Sequence, residues 1–241
     1  GALHAWIEFG NRLLTFVLLI VALAAVVIAV RLSSTSLNKM RIRSLAMLQI
    51  LGILGQGILG GITVLTDLRP LTVASHFMLS IFLIGGAISL RYEMVGVNSQ
   101  PATGITKLLL PILVWNTLLV LIAGTVVTGS GPHAGDDQAE RFNFDARVVS
   151  WIHADLVIAL LVLTALLFLI TRHTGLNLLH KRVGLFLIVA LLQGLIGYVQ
   201  YFTGLPVVLV ALHLLGATLV WVSAWSLIKV ADSGFRLRGM N

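Results

Sequence analysis

Cysteine is absent from the chain. Within these residues that excludes disulfides, thiolate metal sites and CxxC redox chemistry. Charge is nearly as scarce. Asp, Glu, Lys and Arg make up 10% of the residues, against about 25% in a soluble domain. A chain so poor in charge and 58% hydrophobic cannot cover itself in water, so the bilayer is its solvent. Acidic residues are the rarer sign, with 9 Asp and Glu against 16 Lys and Arg and a net charge of +7. Nucleic acid is not the implied partner, because the basic residues lie in short loops between apolar runs rather than in one patch. No signal peptide is visible.

Seven apolar runs are long enough to span, at about 20 residues each. They are Trp6–Leu32, Arg43–Leu65, Leu71–Leu90, Lys107–Thr128, Val149–Ile170, Val183–Thr203 and Pro206–Val230. The loops between them alternate in character. One set carries Arg31, Lys39, Arg41 and Arg43; then Arg91 and Lys107; then Arg172, Lys181 and Arg182; and last the tail with Lys229, Arg236 and Arg238. The positive-inside rule puts these in the cytoplasm. The other set, Thr66–Pro70, Gly129–Arg147 and Thr203–Pro206, is short or acidic, with Asp136, Asp137, Glu140 and Asp145. The expected protein is a multi-pass cell-membrane protein whose visible N-terminus lies outside and whose C-terminus is cytoplasmic.

One stretch occurs twice. Gln56-Gly57-Ile58-Leu59-Gly60 runs on through Thr66 and Val73-Ala74 to His76; Gln193-Gly194-Leu195-Ile196-Gly197 runs on through Thr203 and Val210-Ala211 to His213. All these pairs share one offset along the chain, with no gap. The chain therefore reads as two related halves, each built around a membrane hairpin that ends in a histidine. The second half has four helices and the first has three, so symmetry expects one further helix before residue 1 and eight spans in all. The expected fold is all-α, a polytopic transmembrane helical bundle of two pseudo-symmetric four-helix halves, residues 1–104 and 105–241. Four spans return the chain to the same side, which makes the halves parallel repeats.

Four of the seven histidines, His4, His133, His173 and His180, lie in or near loops, where a solvated or interfacial place is the simplest reading. His76, His153 and His213 lie inside apolar runs, where ionisable residues are uncommon and point to function. The bland alternative is a buried histidine bonded to a neighbouring carbonyl or hydroxyl. Each of the three follows an outer loop by a similar number of residues, which sets them all roughly 10 Å below the outer surface. Three histidines at one depth resemble metal ligands. Zinc needs a third or fourth ligand converging at the same point. A heme needs one or two axial histidines on facing helices, with small residues to admit the porphyrin. Gly52, Gly57, Gly60, Gly61, Gly194 and Gly197 supply that space, or else close helix packing.

The first helix carries Glu8, Asn11 and Arg12 on one face. They form either an interfacial anchor, with Arg12 snorkelling, or a polar group facing the layer of His76. Repeat logic sets Asn11 opposite His153 in the other half. One half then offers two histidines, His153 and His213, and the other His76 with Asn11 and Glu8. That asymmetry suggests one saturated heme, suited to electron transfer, and one heme with an open or weakly held face, suited to chemistry. Asp155, two residues after His153, points away from that face and reads as interfacial or packing.

Three motifs carry a resemblance. Ile7-Glu8-Phe9-Gly10-Asn11-Arg12-Leu13 looks like the ExxHR motif of the heme A synthase family, with Asn11 in place of its histidine. Gly131-Pro132-His133-Ala134-Gly135-Asp136 looks like that family's central outer loop, and Gln200-Tyr201-Phe202-Thr203-Gly204 followed by His213 looks like its last hairpin. The chain resembles this family, most closely the actinobacterial form, from the family's second helix onward. The family's cysteine-bearing first outer loop would precede residue 1. The resemblance implies oxidation of the C8 methyl of heme O to a formyl group, by successive hydroxylations and loss of water, to make heme A for the terminal oxidase. It implies heme b ligated by His153 and His213, a heme O site that includes His76, Asn11 and Arg12, and Glu8 as the catalytic carboxylate. An amide is a poor iron ligand, so Asn11 leaves His76 as the substrate iron's candidate ligand. Expected partners are heme O, membrane lipid, an electron donor, heme O synthase and a second copy of the chain. The competing class is a non-enzymatic membrane b-type cytochrome that carries electrons; a transporter with repeated halves would need broken helices and mid-membrane polar residues, which are few here.

Overall fold

The computed structural model describes residues 2–32, 39–95, 101–102, 104–131 and 139–231; the side chains of residues 2–8, 11, 12 and 32 also lie outside the description. Seven helices follow in order: α1 (Ala2–Leu32), α2 (Lys39–Leu65), α3 (Pro70–Val95), α4 (Gly104–Ser130), α5 (Ala146–Arg172), α6 (Asn177–Phe202) and α7 (Val207–Ala231). All seven are long and apolar enough to cross a membrane, and no strand occurs among the described residues. The protein is a multi-pass, all-helical membrane protein. Each apolar run expected from the sequence is one helix. The largest difference is at α6, which begins at Asn177 rather than Val183, because His180, Lys181 and Arg182 continue the helix instead of ending it. Helices need not stop where hydrocarbon stops, and Lys and Arg are good helix formers.

The chain divides into two compact units. One comprises residues 1–68 and 75–96, the other 69–74 and 97–241. In the second unit, α4 packs on α5, α5 on α6, α6 on α7 and α7 back on α4. Consecutive helices run antiparallel, so the four close into a bundle in which α5 and α7 are parallel and diagonally opposed. Asp145 caps α5, accepting hydrogen bonds from the Arg147 and Val148 amides at 2.8 and 3.2 Å. That satisfies two of the free donors at the helix start.

Packing in this unit is concentrated at one end. The buried residues include Leu110, Leu113 and Thr117 in the first half of α4, Leu160, Thr164 and Leu167 late in α5, Leu179, Val183 and Phe186 early in α6, and Trp221, Ala224 and Leu227 late in α7; only α4 continues buried toward the other end, at Val120, Leu121 and Gly129. Because neighbours are antiparallel, these stretches lie side by side. No buried residue precedes Leu160 in α5 or Val220 in α7, and none follows Ala190 in α6. Thr117, Thr164 and Thr171 each donate to the carbonyl one turn back, at 2.8 Å to Leu113, 2.6 Å to Leu160 and 2.8 Å to Leu167, so they bring no unpaired hydroxyl into the core. The first unit repeats the pattern. Its core joins Ala29 late in α1, Ile42 and Ala46 early in α2, and Leu90 late in α3.

The internal repeat extends to individual bonds. The Thr66 amide bonds to the Ile62 carbonyl at 2.9 Å and the Thr203 amide to Val199 at 3.0 Å; Leu68 bonds to Thr63 at 3.0 Å and Leu205 to Gln200 at 2.8 Å. The two Thr hydroxyls repeat the same back-bonds. Both turns use two successive left-handed residues, Asp67 and Leu68 at φ 52° and 56° and Gly204 and Leu205 at φ 78° and 61°. A bond reaching back five residues with a left-handed residue before it is the Schellman way of ending a helix. Glycine takes that conformation freely, whereas a side chain costs about 1–2 kcal/mol there.

Gly204→Ala is accordingly expected to destabilise the protein by about 1 kcal/mol, and Asp67→Gly to be neutral or stabilising. Unfolding of the detergent-solubilised protein by graded SDS checks both. Equal losses in the two variants would show that the turns are not strained.

Candidate functional site

His76, His153 and His213 each sit about two turns into their helices, counted from Pro70, Ala146 and Val207. In the second unit this places His153 on α5 and His213 on α7, at one level, on diagonally opposed parallel helices. The two rings lie at the end of the bundle away from its packed core. An apolar end without close packing is where a bundle has room for a flat group between helices.

Each imidazole rests against a glycine of the preceding helix. A β-carbon on Gly60 would lie 3.2 Å from His76 Cε1, one on Gly124 3.3 Å from His153 Cε1, and one on Gly197 3.0 Å from His213 Cε1. Those distances are tighter than ordinary van der Waals contact, so the glycines let each ring edge approach the neighbouring backbone. Gly60 and Gly197 therefore make room for imidazole rather than for porphyrin. Gly52 is filled by the Leu83 side chain and serves α2–α3 packing. Gly57, Gly61 and Gly194 face open space, with Gly57 and Gly194 equivalent in the repeat. Gly124 stands outside the repeated stretch and carries no sequence signal of its own.

Polar partners hold the histidine helices at the same level. Gln56 Nε2 donates to the His76 carbonyl at 3.1 Å and to Ser80 Oγ. Gln193 Nε2 donates to the His213 carbonyl at 2.7 Å and lies 2.9 Å from His213 Nδ1. Asn116 Nδ2 of α4 donates to the Leu156 carbonyl of α5 at 3.1 Å, one turn beyond His153. His76 Nδ1 is buried without a hydrogen-bond partner. His153 Nδ1 is buried too; the Val120 carbonyl is the acceptor it faces, outside normal hydrogen-bond geometry. A proton held on Nδ1 by a backbone carbonyl leaves Nε2 as the lone-pair nitrogen, the usual arrangement of a metal-binding histidine.

The loop histidines do other work. His180 stacks on Phe168 with ring centroids 4.4 Å apart, and its Nδ1 lies 3.1 Å from Thr171 Oγ1, which ties α6 to α5 at the packed end. His173 ends α5 through its backbone amide. Asp155 is exposed. Of the first-helix group, Glu8, Asn11 and Arg12 lie in α1, but their side chains are outside the described residues, as are the side chain of His4 and all of His133. Among the described residues no three His, Cys, Asp or Glu side chains converge on one point. A compact zinc centre is therefore not formed by them, whereas a pair of opposed imidazoles is.

A comparison with curated proteins finds no match to the chain. A family model described as COX15-CtaA, cytochrome oxidase assembly protein, matches residues 2–225. That match takes in all the described histidines, both copies of the repeat and nearly all of the seven helices. The chain belongs to the COX15-CtaA family of cytochrome oxidase assembly proteins, the heme A synthase family.

Proposed function

We propose that this chain is a heme A synthase, an oxidoreductase that converts the C8 methyl of heme O to a formyl group, with heme b as its resident cofactor. The observation that carries the reading is the placement of His153 and His213. Two imidazoles stand level on diagonally opposed helices, at the end of a four-helix unit that its own side chains leave loosely packed. The residues fit a heme: the donors are nitrogen, Gly194 borders open space, and among the described residues no third His, Cys, Asp or Glu converges with the pair.

Heme b, which His153 and His213 would hold, would supply one-electron transfer. The chain's own residues do the rest. His153 and His213 fix the cofactor's height in the bundle. His76 offers a single imidazole to the iron of heme O, because its counterpart position on α1 is Asn11 and an amide binds iron poorly. Glu8 takes up a proton, or stabilises positive charge, as the methyl is oxidised. Arg12 pairs with Glu8 or with a propionate. Product leaves for assembly of the terminal oxidase, in keeping with the family. The basic loops set α1's start and the loop between α4 and α5 outside the cell membrane, and the C-terminus in the cytoplasm.

Two measurements test this. The first uses the full chain with heme O supplied. His153→Ala is expected to lose the low-spin b-type spectrum. Glu8→Ala is expected to keep it while heme O accumulates in extracted pigment and the rate of heme A formation falls about a hundredfold or more. Heme B alone in pigment from the wild type would overturn the synthase in favour of an electron carrier. The second exploits the absence of cysteine. Asn143→Cys should react with an impermeant maleimide in intact cells, and Thr174→Cys only after lysis. The opposite pattern would invert the assigned topology.

A further inference from the structure

Gln56 and Gln193 hold the same position in the two copies of the repeat. Each sends its amide nitrogen to the backbone carbonyl of the histidine 20 residues on. Beyond that bond they part. Gln193 Nε2 also meets His213 Nδ1 at 2.9 Å. Gln56 Nε2 instead donates to Ser80 Oγ, and His76 Nδ1 is left without a partner.

The divergence traces to two residues. Where the first copy has Leu79-Ser80, the second has Gly216-Ala217. The Ser80 hydroxyl bonds to the His76 carbonyl at 3.1 Å and so waits beside the atom that Gln56 already seeks. It captures the amide before the ring can. Ala217 has no hydroxyl to offer. Gly216 contributes room, because Gln193 Oε1 occupies the place where a β-carbon on residue 216 would stand. The amide is thereby turned onto the imidazole.

We infer that Gln193 is a positioning residue for the His213 ring, while Leu79-Ser80 keeps Gln56 off the His76 ring, so that the two copies hold their histidines in different ways. The inference rests on the heme reading above. An amide nitrogen carries two hydrogens, one for the His213 carbonyl and one for Nδ1, which sets the ring proton on Nε2 when no metal is bound. Iron at Nε2 obliges that proton to sit on Nδ1. The acceptor it then needs is on the same side chain: Gln193 Oε1 is buried with no hydrogen-bond partner, and Gly216 leaves the amide space to turn over. An acceptor on Nδ1–H strengthens the donation of the imidazole to its metal and fixes the plane of the ring. Such a ring suits a permanent ligand. His76 Nδ1 has no glutamine beside it.

Redox titration and low-temperature electron paramagnetic resonance of the purified full chain test this at matched heme content. Gln193→Leu is expected to raise the midpoint potential of the low-spin heme and shift its g values. Gln193→Glu, a stronger acceptor, is expected to lower the potential. A side chain that served packing alone would move both variants the same way. Ala217→Ser adds only a hydroxyl and keeps the glutamine; it is expected to raise the potential as Gln193→Leu does, by capturing the amide as Ser80 captures that of Gln56. Gln56→Leu is expected to leave the low-spin signal at its wild-type position. If Gln193→Leu fails to hold heme, Ala217→Ser against Gln193→Glu carries the test. Unchanged potentials, or shifts of one sign in the Leu and Glu variants, would overturn the inference while leaving the heme reading intact. A wild-type protein with no low-spin b spectrum would overturn both.

Discussion

A polar group inside a bilayer has to find its partner within the protein, because lipid offers none. Three imidazoles set two turns deep in apolar helices face that demand most sharply. The surrounding sequence answers it in part. Glutamines bridge to the histidines' own carbonyls, an asparagine bridges from α4 to α5, and glycines bring each ring edge against a backbone. The answer is incomplete at the ring nitrogens of His76 and His153. Partly met polar groups at membrane depth are costly, and each unit keeps one.

The two copies of the repeat hold their histidines in different ways. Their hairpin turns agree down to single hydrogen bonds and to a pair of left-handed residues. Their helices agree in the glutamine, the glycine under the histidine, and the histidine itself. Beside the glutamine they differ by a hydroxyl and an isobutyl group in one copy, and a methyl and a hydrogen in the other, at residues 79–80 and 216–217. The ring environment is set by the neighbours of the glutamine.

Hydropathy and charge made the seven spans and the all-helical class legible, because a bilayer imposes one length and one composition on every element that crosses it. The repeat made the glutamine–histidine pairs legible, since self-similarity within one chain needs no other sequence. Much of the packing was not. Leu160 in the core and Val162 on the surface are equally apolar, and where lipid is the solvent hydrophobicity no longer separates inside from outside. The loosely packed histidine end was hidden for that reason. Gly60 and Gly197 were visible as small residues, but whether they admit a porphyrin, a leucine or an imidazole depends on helix rotation. Gly124 could not be found by repetition. The ring contact of Gln193 was invisible as well, because it follows from the absence of a β-carbon at residue 216 and of a hydroxyl at residue 217.

A bundle whose side chains interlock at only one extremity behaves as a set of cantilevers. Displacement grows with distance from the clamped end, so the free tips can splay to admit or release a broad rigid molecule while the anchorage stays shut. Heat resistance and exchange kinetics then fall under separate control, the first governed by residues such as Phe186 and Trp221 and the second by those near the tips. Natural selection can adjust one without disturbing the other.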